Sequence, residues 1–226
     1  MSDLKVTTNG PYEVRGLPLI RMRFVVAKES VNHRWVDGEV IDTSPHSDED
    51  GTYWLCRCGR SESKPFCDDS HLKDDPTPFD GTENPQRHTP YREVAKTFEG
   101  PGGVVRSAAP ICAHVGFCTA DGSPPWRRVR EDDPQAHASE RRMVDFCPSG
   151  TLTRAESVAG EDIEADLPLR IGVVDDGPYF VTGGASLSGS EGDYEIRNRM
   201  TLCRCGQSAQ MPFCDSTHEK VGFRDS

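Results

Sequence analysis

Apolar positions along this chain come in short pieces, and no run approaches the ~20 residues needed to span a bilayer. Near the start, NGPYEVRGLPL (residues 9–19) opens on a turn and then gives Tyr12, Val14 and Gly16. Far downstream, DGPYFVTGGASL (residues 176–187) repeats that order with Tyr179, Val181 and Gly183. Each copy predicts a short β-strand leading into a sheet. The first copy is longer between its strand and the cysteines that follow, Gly10 to Cys56 against Gly177 to Cys203. The extra residues fall near VVAKESVNHRWVDGEV (residues 25–40), which predicts a hairpin turning at Asp37–Gly38.

One helix is predicted in the middle of the chain. Asp133 can cap it, Pro134 suits its first position, and Ala136 to Phe146 runs without a breaker. Met143, Val144 and Phe146 are its expected buried residues. Trp54 and Trp126 read as packing residues, and His33, His46, His88 and His137 as surface residues. AESVAGEDIEAD (residues 155–166) reads as a linker into the second repeat.

Composition narrows the picture. Only 35% of the 226 residues are hydrophobic, against 21 Gly and 17 Pro, which predicts a loop-rich protein with small cores. A bound metal is one way to hold such a chain together. The net charge of −11 argues against nucleic acid, because counterion release needs clustered Lys and Arg. Arg127, Arg128 and Arg130, like Arg141 and Arg142, are short groups among acidic residues. The opening MSDLKVTTNG lacks a charged segment followed by an apolar one, so the expectation is a cytoplasmic protein without a membrane partner.

The nine cysteines then change the reading. Their odd number excludes a complete intrachain disulfide framework, and a reducing compartment favours thiols or metal. Cys56, Cys58, Cys67 and His71 are spaced Cys-x-Cys-x8-Cys-x3-His. Cys203, Cys205, Cys214 and His218 repeat that spacing, together with Arg-Cys-Gly, a serine (Ser61, Ser208) and Pro-Phe-Cys-Asp. Chance repetition of all this is negligible. Three thiolates and one imidazole fit structural zinc, or an iron–sulfur cluster with His replacing one Cys. The single-residue gap in Cys-x-Cys is shorter than zinc knuckles use, which favours the cluster. Asp68 and Asp215 stand where a helix could start and cap it, presenting each histidine from the first turn. Gly59, Gly206, Ser61 and Ser208 stand where N–H or O–H groups could reach sulfur.

The pattern resembles the CDGSH iron–sulfur family. That resemblance implies a [2Fe-2S] cluster in each copy: Cys56 and Cys58 on one iron with Cys67 and His71 on the other, and likewise Cys203 and Cys205 facing Cys214 and His218. The chain departs from the family glycine at Asp69 and Ser216, whose side chains must be accommodated beside a cluster. Family members with one motif per chain are typically intertwined homodimers. Two copies here imply a monomer that forms such a pseudo-symmetric pair alone.

The segment between the copies contains ICAHVGFC (Cys112, His114, Cys118) and FCPSGTL (Cys147). It resembles single-cluster bacterial ferredoxins in which Val115 takes the middle cysteine position, implying [3Fe-4S] held by Cys112, Cys118 and Cys147. It also resembles a divergent four-iron ferredoxin family, which implies [4Fe-4S] with His114 as a candidate fourth ligand. The alternative is three buried free thiols, against which Pro148 and Gly150 form a turn that exposes N–H groups to sulfur.

The expected fold is therefore small, β-rich and α+β: a first module over residues 1–85, a ferredoxin-like insert with one helix over 86–160, and a second module over 161–226. The expected function is electron transfer or redox sensing with a partner protein. A store or donor of clusters to an apo-acceptor is the alternative, and a structural zinc protein that recognises a partner ranks third. No phosphate-binding loop, nucleophile elbow or HExxH motif is present, so no enzyme is expected.

Overall fold

The computed structural model describes residues 3–26, 33–73, 77–119 and 122–225. The N-terminal stretch forms β1 (Leu4–Val6), β2 (Tyr12–Arg15), β3 (Leu19–Val25), β4 (Arg34–Val40) and β5 (Thr52–Leu55). The middle adds α1 (Tyr91–Val94), β6 (Lys96–Gly100), β7 (Gly103–Ser107), α2 (Pro125–Arg128), α3 (Pro134–Asp145) and β8 (Leu152–Ala155). The last stretch gives β9 (Arg170–Val174), β10 (Tyr179–Thr182), β11 (Leu187–Gly189), β12 (Gly192–Asp193), β13 (Arg199–Leu202) and α4 (Thr217–Lys220). The fold is β-rich α+β, as expected. Among the described residues no helix is long and apolar enough to cross a membrane.

Alternation sets the inner faces. Leu4 and Val6 of β1, and Tyr12 and Val14 of β2, point inward with the two-residue period of a strand. The two repeated Tyr-x-Val segments become β2 and β10, in separate five-stranded sheets. One sheet runs β12-β11-β1-β2-β5 and the other β13-β10-β9-β3-β4. Each joins three strands from one end of the chain to a hairpin from the other. The exchange is made by two parallel pairings, β1 with β11 and β3 with β9, which set Leu4 opposite Leu187 and Leu19 opposite Ile171. Parallel neighbours need a long connection, and here most of the chain supplies it. One apolar core draws on both sheets, with Tyr12, Val14 and Tyr53 from one end and Ile171, Val173 and Tyr179 from the other.

The β3–β4 hairpin exists, but its turn is elsewhere than predicted. Val25 pairs with Arg34, so the pairing already begins well before Asp37–Gly38; residues 27–32 lie outside the described residues. Asp37 and Gly38 lie within β4, where the register shifts opposite Ile20–Met22. An Asp-Gly pair reads as a turn, yet glycine serves an irregular strand equally well. A Cβ on Gly38 would stand 3.2 Å from the Arg21 Cβ.

Between the two ends, β6, β7 and β8 form a third sheet. Helix α3 starts as predicted: the Asp133 carboxylate accepts the Gln135 N–H at 2.9 Å and Pro134 follows. Met143 and Val144 are buried, whereas Phe146 is only half-buried and caps the helix against Trp35 at 5.1 Å. The expected linker begins inside β8 and is held down. Buried Arg106 pairs with Asp162 and donates to the carbonyls of Val158 and Gly160. His33 departs from expectation: it is fully buried, its ring stacked on Phe117. Exposed His46 lies over Phe66, and half-buried His88 over Tyr194.

Candidate metal centres

Both Cys/His quartets are built the same way from the end of a strand. β5 ends at Leu55 and releases Cys56 and Cys58; β13 ends at Leu202 and releases Cys203 and Cys205. The loop then folds back. Cys56 N–H donates to the Pro65 carbonyl at 2.8 Å and Cys67 N–H to the Trp54 carbonyl at 2.9 Å. Cys203 to Pro212 and Cys214 to Thr201 repeat those bonds at the same lengths. The third cysteine is thereby returned beside the first two.

Within each quartet the donor atoms form two close pairs. Cys56 and Cys58 sulfurs are 3.8 Å apart, and those of Cys203 and Cys205 3.7 Å. Cys67 Sγ lies 3.5 Å from His71 Nδ1, and Cys214 Sγ 3.5 Å from His218 Nδ1. The histidines thus turn Nδ1 toward sulfur and leave Nε2 on the far side of the ring. Each sits in a single turn entered through a capping aspartate. Asp68 accepts from Ser70 N–H at 3.0 Å and from Glu62 N–H at 2.9 Å; Asp215 does the same for Thr217 and Ala209. Burial works against the Asp68 carboxylate, but these hydrogen bonds hold it down at about 2.

The electrostatics favour thiolates in a defined order. The Cys56 thiol is lowered to about 6, chiefly by a hydrogen bond from Cys58, with Ser61 and Gly59 N–H groups adding to it. Cys203 is lowered to about 7 by Cys205 in the same way. Cys58 and Cys205 are pushed up by their role as donors. Burial raises Cys67 and Cys214, and lowers His218 toward the neutral ring that a metal requires. Further N–H groups reach sulfur from Arg60 to Cys58 at 3.5 Å and from Ser216 to Cys214 at 3.4 Å. The hydroxyls of Ser61 and Ser208 do not. They donate to the carbonyls of Phe66 and Phe213, at 2.7 Å each, and so brace the loops. All these cysteines are free thiols. Sulfur-rich, N–H-lined sites of this kind fit an iron–sulfur cluster.

The positions where the chain departs from glycine have a left-handed backbone, with φ of 62° at Asp69 and 64° at Ser216. Their side chains part company. The ligand atoms of Asp69, Cys67 and His71 all lie within 4.8 Å of one another, which makes Asp69 a donor the sequence did not reveal as such. Ser216 turns instead to the middle segment and donates to the Ala113 carbonyl.

Two more repeated residues support the quartets from below. Arg57 is buried and donates to the carbonyls of Gly10, Gly81 and Thr7 at 2.7, 2.8 and 2.8 Å. Arg204, equally buried, donates to the Val174 carbonyl at 2.9 Å and pairs with Asp225. Both were visible as the repeated Arg-Cys-Gly, but one sequence does not say that an arginine faces inward.

The middle cysteines also gather. Cys147 follows α3 in a turn closed by Gly150 N–H at 3.2 Å, and it packs in the same apolar cluster as Cys118, Val105 and Val144. Burial raises Cys118 to about 12, with the charges of Cys147 and Cys112 adding to it. Burial likewise raises Cys112, which also feels Cys147. Ser149 bonds to Thr151 at 2.8 Å beside Cys147. The donor set suits a cluster, but His114 is exposed, and it is its main-chain N–H that meets Cys112 Sγ, at 3.3 Å.

A family model described as the iron-binding zinc finger of CDGSH type matches residues 9–72 and 176–219. No curated protein matches the chain.

Proposed function

Through its two repeats the chain belongs to the CDGSH-type iron-binding family, and we propose that it is an electron-transfer or redox-sensing protein with a [2Fe-2S] cluster in each repeat. The observation that carries this reading is the matched pair of quartets, each with a close Cys-x-Cys sulfur pair, a Cys/His pair whose Nδ1 faces sulfur, and N–H groups aimed at sulfur. A bound cluster supplies one-electron chemistry. Cys56, Cys58, Cys67 and His71 hold one, and Cys203, Cys205, Cys214 and His218 the other. The N–H groups offset negative charge on sulfur, and each half-buried histidine turns Nδ1 rather than Nε2 to its cysteine.

A third cluster, [3Fe-4S] or [4Fe-4S], belongs to the same proposal, held by Cys112, Cys118 and Cys147. The reciprocal exchange of hairpins between the two large sheets favours a monomer built as an internal pseudo-dimer; action in the cytoplasm with a partner protein is part of the same proposal.

Iron and sulfide quantitation with EPR on anaerobically purified protein tests this reading. Two-iron signals from both repeats, plus a three- or four-iron signal lost in Cys147→Ser, are expected. A colourless protein carrying zinc overturns it. Reduction potentials that fall with rising pH, with the slope abolished at the first site in His71→Cys, assign the proton to that histidine. Cluster transfer is the second reading, favoured by the incomplete burial of His71 beside Leu72, which is 70% exposed. Movement of cluster from the oxidised protein to an apo-ferredoxin supports it.

A further inference from the structure

The middle cysteines are tied to one quartet and not the other. Ser216 stands between Cys214 and His218, and its N–H donates to Cys214 Sγ at 3.4 Å. Its hydroxyl donates to the carbonyl of Ala113, the residue that follows Cys112. Both Ser216 and Ala113 are buried. From Cys112 to Cys214 the path is therefore covalent bonds, one hydrogen bond, one serine side chain and one N–H to sulfur contact. A second tie lies alongside. Arg199, in the strand that delivers Cys203, donates to the Cys147 carbonyl at 2.6 Å and to the Val144 carbonyl at 2.8 Å. Val115 of the middle loop and His218 also line one cavity of about 430 Å³.

The first quartet has none of these ties among the described residues. Exposed Asp69 holds the place of Ser216 and stays beside its own ligands. Thr52 holds the place of Arg199, and its side chain is too short for a comparable span. The asymmetry follows from two substitutions inside an otherwise repeated frame.

We infer that the middle cysteine site and the second quartet form an electron-exchange pair wired through Ser216, with no equivalent link to the first quartet. This rests on the three-cluster reading above. One electron leaves the reduced centre at Cys112, Cys118 and Cys147 and arrives at the oxidised centre at Cys203, Cys205, Cys214 and His218. No bond is made or broken, and the electron enters from an external one-electron donor.

Laser-flash photoreduction of the full protein, followed by transient absorption and freeze-quenched EPR, measures the exchange. Ser216→Ala removes the hydroxyl; Ser216→Gly removes it and relieves the left-handed backbone as well. In both variants iron and sulfide content is expected to stay at the wild-type level, while exchange between the middle and second centres slows several-fold. Unchanged exchange in both overturns the inference, as does a rate lost in Ser216→Ala and recovered in Ser216→Gly, which assigns the effect to backbone strain. Loss of iron from the second site in both variants also overturns it, by making Ser216 a brace of the loop. Absence of a third cluster from the wild-type iron count is a different failure, that of the three-cluster reading itself.

Discussion

Tyr12 and Tyr179, the equivalent tyrosines of the two repeats, meet edge to face at 5.9 Å, and each serves the other's cysteine loop. The Tyr12 hydroxyl donates to the carbonyls of Cys203 and Pro212 at 3.0 and 2.9 Å. Tyr179 does the same for Cys56 and Pro65, at 2.9 and 3.0 Å. Both phenols are fully buried, and burial pushes both far above the ordinary tyrosine range, so they remain donors. Each loop therefore depends on the opposite end of the chain.

Tyr12→Phe is expected to weaken the second site and Tyr179→Phe the first. Either change takes a donor from two buried carbonyls, at a cost of about 1–3 kcal/mol. The check is the rate at which visible absorption is lost in denaturant, with His71→Cys as background to give the two sites distinct spectra. The double variant should depart from additivity, since the rings touch. Faster loss at the mutated tyrosine's own site would contradict the crossing.

Glycine to alanine at the loop crossing should act across the repeats too. Gly59 has φ of 77°, and a Cβ there would stand 2.6 Å from the Cys205 carbonyl oxygen. Gly206 has φ of 74°, and its Cβ would come closer still to the Cys58 carbonyl. Left-handed strain alone costs of order 1–3 kcal/mol, before the clash is counted. Gly59→Ala is expected to lower the iron-to-protein ratio by displacing Cys205 as well as its own loop. Normal iron in that variant would mean that the loops can separate freely.

Arg57→Lys tests the buried guanidinium. One ammonium cannot span three carbonyls from separate segments as the planar fork does. Leaving carbonyls of Thr7, Gly10 or Gly81 unpaired should cost about 2 kcal/mol, a Tm loss of roughly 4–8 °C for a chain of this size. Thermal unfolding followed by circular dichroism reads it directly. An unchanged Tm would show that water replaces the lost bonds.

The two Cys/His quartets were legible as candidates because a metal site asks for both residue type and spacing, and the chain writes that spacing twice. The strands of Tyr12 and Tyr179 and the cap at Asp133 were legible for a similar local reason. What escaped was long-range. Nothing near Tyr12 says that its hydroxyl belongs to Cys203, and nothing near Leu4 says that it pairs with Leu187. His33 sits beside polar neighbours in sequence yet is buried, its ring stacked on Phe117 far along the chain. The Asp37–Gly38 pair misled because a strand irregularity and a turn ask for the same residues.

Glu140 gives the chain a pH dependence apart from any metal. It is buried on α3, its Oε1 has no hydrogen-bond partner among the described residues, and burial raises its carboxyl to about 7. Arg141 and Arg154 pull the other way, and Asp145 adds to the rise. A carboxyl raised in the folded state binds its proton more tightly there than in the unfolded chain. Its cost is therefore absent below the ordinary value of 4.5, grows as pH rises, and is complete above 7. A rise of that size corresponds to on the order of 3 kcal/mol. Glu140→Gln keeps the shape and removes the titration, so its stability advantage over the wild type should grow by about 2 kcal/mol between about pH 5.5 and pH 8. Taking the difference between the two proteins cancels histidine and cluster titrations, which both share. Denaturant midpoints at several pH values measure it, and a difference that stays flat across the range would mean that the carboxylate is ionised throughout.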